Sequence, residues 1–155
     1  MLSLRLFSFL SRSLPLPQRP KGLDDNEIIW ALHSESQDIL LDNCMTAVGS
    51  QASLTWAHLR SFGVGLWVKN VETLRKVIET VARNLFMSHE DKDPVACSLF
   101  YLALNKKNVW TGLWKIAKSH PEYYKMNGFL ANNFNEPRWK QAALKNAFQL
   151  LGLQR

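Results

Sequence analysis

From residue 24 onward, apolar side chains return every three or four positions, the period of a helix packed along one side. NEIIWALHSESQDILLDNCM (26–45) sets Ile28, Ile29 and Leu32, then Ile39, Leu40 and Met45, at helical spacing. The polar cluster Ser34–Ser36 predicts a break between two helices. SLTWAHLRSFG (53–63) predicts a short helix capped by Ser53 or Thr55 and stopped by Gly63. The clearest period covers residues 66–87. There Trp67, Val71, Leu74, Val77, Ile78, Val81, Ala82 and Leu85 share an arc of about 140°. Glu72/Lys76 and Glu79/Arg83 stand opposite as i, i+4 ion pairs.

HEDKD (89–93) is a polar loop, and Asp93-Pro94 provides a cap and first turn for PVACSLFYLALNKK (94–107). In that segment Val95, Leu99, Leu102 and Ala103 share a face, widened by Phe100, Tyr101 and Leu104. NVWTGLWKIAKSH (108–120) follows, with Trp110, Leu113, Trp114 and Ala117 at helical spacing and an end at His120-Pro121. YYKMNGFLANN (123–133) is less regular and leads to a last helix, opened by Pro137 and stopped by Gly152. Trp139, Ala142, Ala143, Ala147 and Leu150 form one face of that helix, with Leu144, Phe148 and Leu151 beside them. The apolar arc spans roughly 240°, against the ~100° stripe of an ordinary surface helix. Such a helix reads as an interior member of a longer stack cut at Arg155, whose flank Leu144, Phe148 and Leu151 awaits a neighbour. No segment carries the period-2 alternation of a strand. The expected fold is all-α: about seven helices on short connections, a solenoid-like array of helical hairpins.

Composition adds a globular core, since 46% of the 155 residues are apolar and 21% charged. Charge divides the chain. Residues 1–23 hold four basic side chains and no acid, 24–100 hold six basic and eleven acidic, and 101–155 hold nine basic and two acidic. The net +6 therefore comes from an acid-free opening and a basic rear around an acidic front, a polarity that suits ordered neighbours or an acidic partner. Two regions follow: an irregular or helical extension, 1–23, and a helical domain, 24–155. MLSLRLFSFLSRSLPLPQRPKG has the composition of an organelle presequence, so one reading is a small mitochondrial protein cleaved after import through 1–23. The same segment also reads as the tail of an upstream helix and a loop. No apolar run reaches the 18 or more residues of a membrane span.

Candidate chemistry is sparse. His33, His58, His89 and His120 make no i, i+4 ligand pair, and Cys44 and Cys97 lie 53 positions apart, so no metal site is expected. The two cysteines read as buried thiols, with one disulfide left open. Cys97 lies near a helix start that could lower its pKa, the basis of a third reading as a hydrolase using Cys97 or a histidine. FGVGLW contains GxG, but Val68 stands where a dinucleotide fingerprint needs its last glycine, and a helix precedes it. The two glycines instead end one helix and let the next pack closely. Glu35, Asp38 and Asp42 read as a solvated helix face. No nucleic-acid signature, cofactor motif or small-molecule site is visible.

Four long strings, in unbroken order from about Asp24 to Arg155, give the chain a family likeness. WALHSES, GVGLWVKN, DPVACSLFYLALNKKNVWTGLW and NNFNEPRWKQAALKNAFQLLG resemble the C-terminal helical region of the DmX-like (rabconnectin alpha) proteins, relatives of the large subunit of the RAVE complex. The resemblance implies a non-catalytic scaffold. Members of that family are much longer, carry WD-type propellers ahead of the helices, and promote assembly and regulation of the vacuolar-type proton ATPase. It also implies as partners the ATPase's peripheral sector and a companion WD-repeat scaffold subunit. The expected location is the cytoplasm, peripheral to endosomal and vesicle membranes and attached indirectly. Within this reading the candidate partner-contact residues are Lys106, Lys107, Lys115, Lys118, Arg138, Lys140 and Lys145, together with Leu144, Phe148 and Leu151.

Overall fold

A computed structural model describes residues 22–50, 53–88 and 92–153. The helical expectation holds, and no strand occurs among these residues. Nine helices stand among them, more than the seven or so expected: α1 Asp25–His33, α2 Gln37–Val48, α3 Trp56–Ser61, α4 Val64–Trp67, α5 Val71–Ser88, α6 Ser98–Ala103, α7 Lys107–Ile116, α8 Tyr123–Leu130 and α9 Pro137–Leu153. They belong to two compact units, one ending at Lys106 and one beginning at Lys107. The presequence reading of 1–23 lies outside the described residues as far as residue 21.

Local chemistry sets the helix boundaries of the first unit. Asp24 and Glu27 form a reciprocal capping box on α1: each backbone N–H donates to the other's carboxylate at 2.8 Å. The break expected at Ser34–Ser36 is present, and Gln37 bridges it. Its Nε2 donates to the Ala31 carbonyl at 3.1 Å, while its Oε1 accepts from the Lys69 N–H at 2.9 Å. One side chain thus satisfies an orphan carbonyl at the end of α1 and an amide ahead of α5. Thr55 rather than Ser53 caps α3, through the N–H of His58. Gly63 then adopts φ +59, and a Cβ there would stand 2.7 Å from Ile28 Cδ1. Both the left-handed turn and the close approach of α1 require glycine. That turn carries the chain into α4, where Val64 and Trp67 have no exposed surface.

The long helix expected over 66–87 is two elements. Trp67 ends α4, and Asn70 starts α5 by accepting the N–H groups of Glu72 (3.0 Å) and Thr73 (3.2 Å) through its side chain. The expected i, i+4 ion pairs are also different ones. Glu72 meets Arg75 at 3.0 Å, and Glu79 meets Lys106 at 2.6 Å. α5 packs on α6 and is tied to the turn before α3 by Asn84 Nδ2, which donates to the Leu54 carbonyl at 2.9 Å. The core gathers around Trp67, Val64, Leu59, Leu40 and Leu41, with Val81 from α5.

α6 corrects the sequence reading most sharply. Asp93 caps the turn through the Val95 N–H, but residues 94–97 form turns and the helix begins only at Ser98. It ends at a left-handed Asn105 (φ +57), with the Lys106 N–H donating back to the Tyr101 carbonyl at 2.8 Å. That is the arrangement by which asparagine closes a helix at C′. Pro94, Cys97 and Tyr101 are buried, whereas Val95, Leu99 and Leu102, expected inside, are exposed.

In the second unit α7 packs on α8, and Trp110, Trp114, Ala117 and Leu130 are buried. The His120 ring meets Trp114 edge-on at 4.9 Å, and its Nδ1 accepts the Glu122 N–H at 3.1 Å. α8 forms where the sequence read as irregular. α9 starts at Pro137 as expected, yet passes through Gly152 instead of stopping there. None of its described side chains is buried, and Trp139 and Ala143 are half-buried.

Candidate interaction surface

The residues singled out for partner contact divide by what they already do. Lys106 is held by Glu79, and its backbone closes α6, so it serves the fold of the first unit. Lys107 is engaged as well: its Nζ donates to the Asn132 carbonyl at 3.2 Å and lies 4.4 Å from the centroid of the Phe134 ring. This cation–π contact pins the start of α7 to the loop after α8. Arg138 stacks on Trp139 at 5.2 Å. Lys115, Lys118, Lys140 and Lys145 are exposed and have no side-chain hydrogen bond or ion pair among the described residues.

Leu144, Phe148 and Leu151 are 52%, 72% and 61% exposed. They recur at i, i+4 and i+7, so they share one flank of α9. Lys140 and Lys145 belong to the same helix, so an apolar flank and free ammonium groups occur together on α9. Residues 107–153 hold seven basic and two acidic side chains, and one of those acids, Glu122, pairs with Lys125 at 3.1 Å.

Sequence reasoning overlooked a second apolar surface in the first unit. A shallow cavity of about 290 Å³ lies among α3, α4 and α5. Trp56, Leu66, Leu74 and Ile78 contribute to its walls, and Arg60 is its one charged lining residue. The signal was present in the sequence, since Trp56 and Leu66 do not fit the buried face of any single helix. The short α3–α4 corner had to be known before they could be placed together.

Both cysteines are buried free thiols. Burial pushes the Cys97 thiol up to about 11, with the nearby Asp93 charge acting in the same direction. The expectation that a helix start would lower it is thereby overturned: α6 begins after Cys97, and the Sγ–H donates to the Pro94 carbonyl at 3.4 Å. Cys44 is raised to about 12, first by burial and then by the charge of Glu27. Among the described residues no group of three His, Cys, Asp or Glu side chains could hold a metal ion, and no helix is long and apolar enough to cross a membrane.

Comparison with known proteins adds the context. A family model described as RAVE protein 1 C terminal matches residues 1–155. DmX-like protein 1 of Mus musculus is 42% identical over 158 aligned residues, covering 100% of this chain and 5% of the relative. Regulator of V-ATPase in vacuolar membrane protein 1 of Saccharomyces cerevisiae is 40% identical over 135 residues, covering 87% of this chain and 10% of the relative. The protein of the same name in Schizosaccharomyces pombe is 34% identical, over 86% of this chain and 10% of its own length. The chain thus spans a small part of each of these relatives.

Proposed function

The chain belongs to the RAVE protein 1 C-terminal family, and from that premise we propose that it is a non-catalytic helical scaffold module for regulation of the vacuolar-type proton ATPase. The observation that carries this reading is the family match along all 155 residues, joined to relatives named as regulators of V-ATPase. Physical chemistry supports the scaffold aspect. The surfaces left over after folding are apolar and cationic, as on α9, and the cysteines are inert buried thiols. Such surfaces bind other macromolecules by burying apolar area inside a charged rim.

In this reading the partners are the ATPase's peripheral sector and a companion WD-repeat scaffold subunit. The module acts from the cytoplasmic side of endosomal and vesicle membranes and reaches them through those partners. Lys115, Lys118, Lys140 and Lys145 supply steering toward acidic surfaces, and Leu144, Phe148 and Leu151 supply buried area. Affinity capture of the tagged chain from cytosol, with quantitative mass spectrometry, tests the reading. Enrichment of proton-ATPase peripheral subunits or of the WD-repeat companion is expected, and it should fall when Phe148 and Leu151 are both changed to Ser. Recovery of neither class of subunit by the unaltered chain defeats the proposal.

A further inference from the structure

The cavity among α3, α4 and α5 has a construction of its own. α3 supplies Trp56 and Leu59, α4 supplies Val64 and Leu66, and α5 supplies Leu74 and Ile78. Trp56 and Leu66 keep 47% and 69% of their surface exposed, although bulky apolar groups at a helix corner ordinarily turn inward. Gly65 lies between them in sequence on α4, and a Cβ built there meets nothing within 4 Å. The backbone is therefore open to close approach, in contrast with Gly63, where α1 fills the space. At about 290 Å³ the cavity is at the lower limit of sites that enclose a drug-sized molecule, typically about 300–1,000 Å³. It also lacks the set of convergent polar groups by which such sites orient small ligands. Its dimensions suit one or two large side chains presented by a protein segment.

Charge selects among occupants. Arg60 is the only charged lining residue, and its guanidinium makes no hydrogen bond or ion pair among the described residues. The exposed apolar flank of α9 is a poor match, because Pro137–Leu153 contains Arg138, Lys140 and Lys145 and no acid. The opening segment 1–21 is a poor match for the same reason: four basic residues and no acid. A long acidic run is disfavoured too, because residues 22–106 hold eleven acidic side chains against seven basic. What remains is a segment with a bulky apolar anchor and a single local carboxylate.

We propose that this cavity is a docking groove for an amphipathic helical segment of another protein, which inserts a Leu or Phe anchor beside Gly65 and sets one carboxylate against Arg60. The mode is helix-in-groove recognition with one charge-assisted bond for register. It does not depend on the proton-ATPase reading, because purified chain and synthetic peptide suffice to test it.

The probes are fluorescein-labelled amphipathic peptides with a Leu-Phe anchor pair and one Glu a helical turn away, and a matched set with Lys in place of Glu. Fluorescence anisotropy with the full chain should show saturable binding of the Glu peptides and at least about tenfold weaker binding of the Lys peptides, roughly 1.4 kcal/mol. Gly65→Leu fills the open groove and Arg60→Glu inverts its charge; each should weaken the Glu peptides about tenfold or more, with unfolding midpoints near that of the unaltered chain. Arg60→Glu should in addition restore the Lys peptides. Equal binding of the two sets, or binding insensitive to Gly65→Leu in a folded variant, overturns the proposal. So does concentration-dependent self-association abolished by Gly65→Leu, which would make a second copy the occupant.

Discussion

Replacing Trp67 with Phe separates the two roles of that side chain, and the effect can be worked from its surroundings. Trp67 has no exposed surface, and its Nε1–H donates to the Phe62 carbonyl at 2.8 Å across the α3–α4 corner. Phenylalanine keeps a flat ring but has no donor, so a buried carbonyl is left without its partner, at about 1–3 kcal/mol. The missing ring atoms amount to about two methylene equivalents, adding about 1–2 kcal/mol of lost burial. The expected loss is about 2–5 kcal/mol, large against a total stability of about 5–15 kcal/mol. A midpoint lowered by roughly 5–15 °C should follow. Leu66→Ala, one position earlier, serves as the control. Leu66 is mostly exposed, so its truncation should cost within about 0.5 kcal/mol. Urea unfolding followed by far-ultraviolet circular dichroism measures both. A cost below about 1 kcal/mol for Trp67→Phe, or an equal cost for Leu66→Ala, would refute the claim that the indole N–H organises this corner.

Two further outcomes follow from the same unit. Gly63→Ala should destabilise by about 1–3 kcal/mol in urea unfolding, because a left-handed φ and contact with Ile28 Cδ1 both oppose a Cβ. Retention of full stability would show that α1 can give way. Stability should also fall at alkaline pH on account of Cys44 and Cys97. Their folded pKa values are raised, to about 12 and about 11, so the unfolded chain loses its thiol protons first. The contribution is fully present below the ordinary thiol value of ~8.5 and is lost as pH rises through about 11 and 12. Comparing the slope of stability between pH 8 and 10 with that of a Cys44→Ala, Cys97→Ala variant checks it, and identical slopes would contradict the assignment.

Much of the fold was legible because short-range chemistry agreed with the long-range pattern. The Ser34–Ser36 break, the Thr55 cap, the Gly63 turn and Pro137 are all local signals, and each falls where the chain turns. The errors came where a side chain intervened between elements. Asn70 stops the 66–87 period from being one helix, because its side chain caps the Glu72 and Thr73 amides of a new start. Asn105 closes α6 before the periodicity runs out. Which side chains of residues 94–104 turn inward was not legible at all. Val95, Leu99 and Leu102 are as apolar as Cys97 and Tyr101, and only packing against α5 decides between them. The candidate contact residues show the same limit. Composition marks Lys106 and Lys107 as equal to Lys140, whereas Glu79, Asn132 and Phe134 hold the first two in place.

The apolar residues of this chain thus do two kinds of work, and burial distinguishes them better than hydrophobicity does. Trp67, Trp114, Val64 and Cys97 have no exposed surface and hold the corners where helices change direction. Leu99, Phe148 and Leu66 are equally apolar yet about 70% exposed or more. Phe148 shares a flank of α9 with Leu144 and Leu151, and Leu66 shares a cavity wall with Trp56, so neither is scattered singly. Scattered exposed leucines are ordinary on protein surfaces; clustered ones mark places where another surface binds. Removing a member of the first set should therefore lower stability, while removing a member of the second should lower binding and leave stability in place. Substitutions in the exposed clusters should therefore leave undisturbed the corners that keep the chain folded.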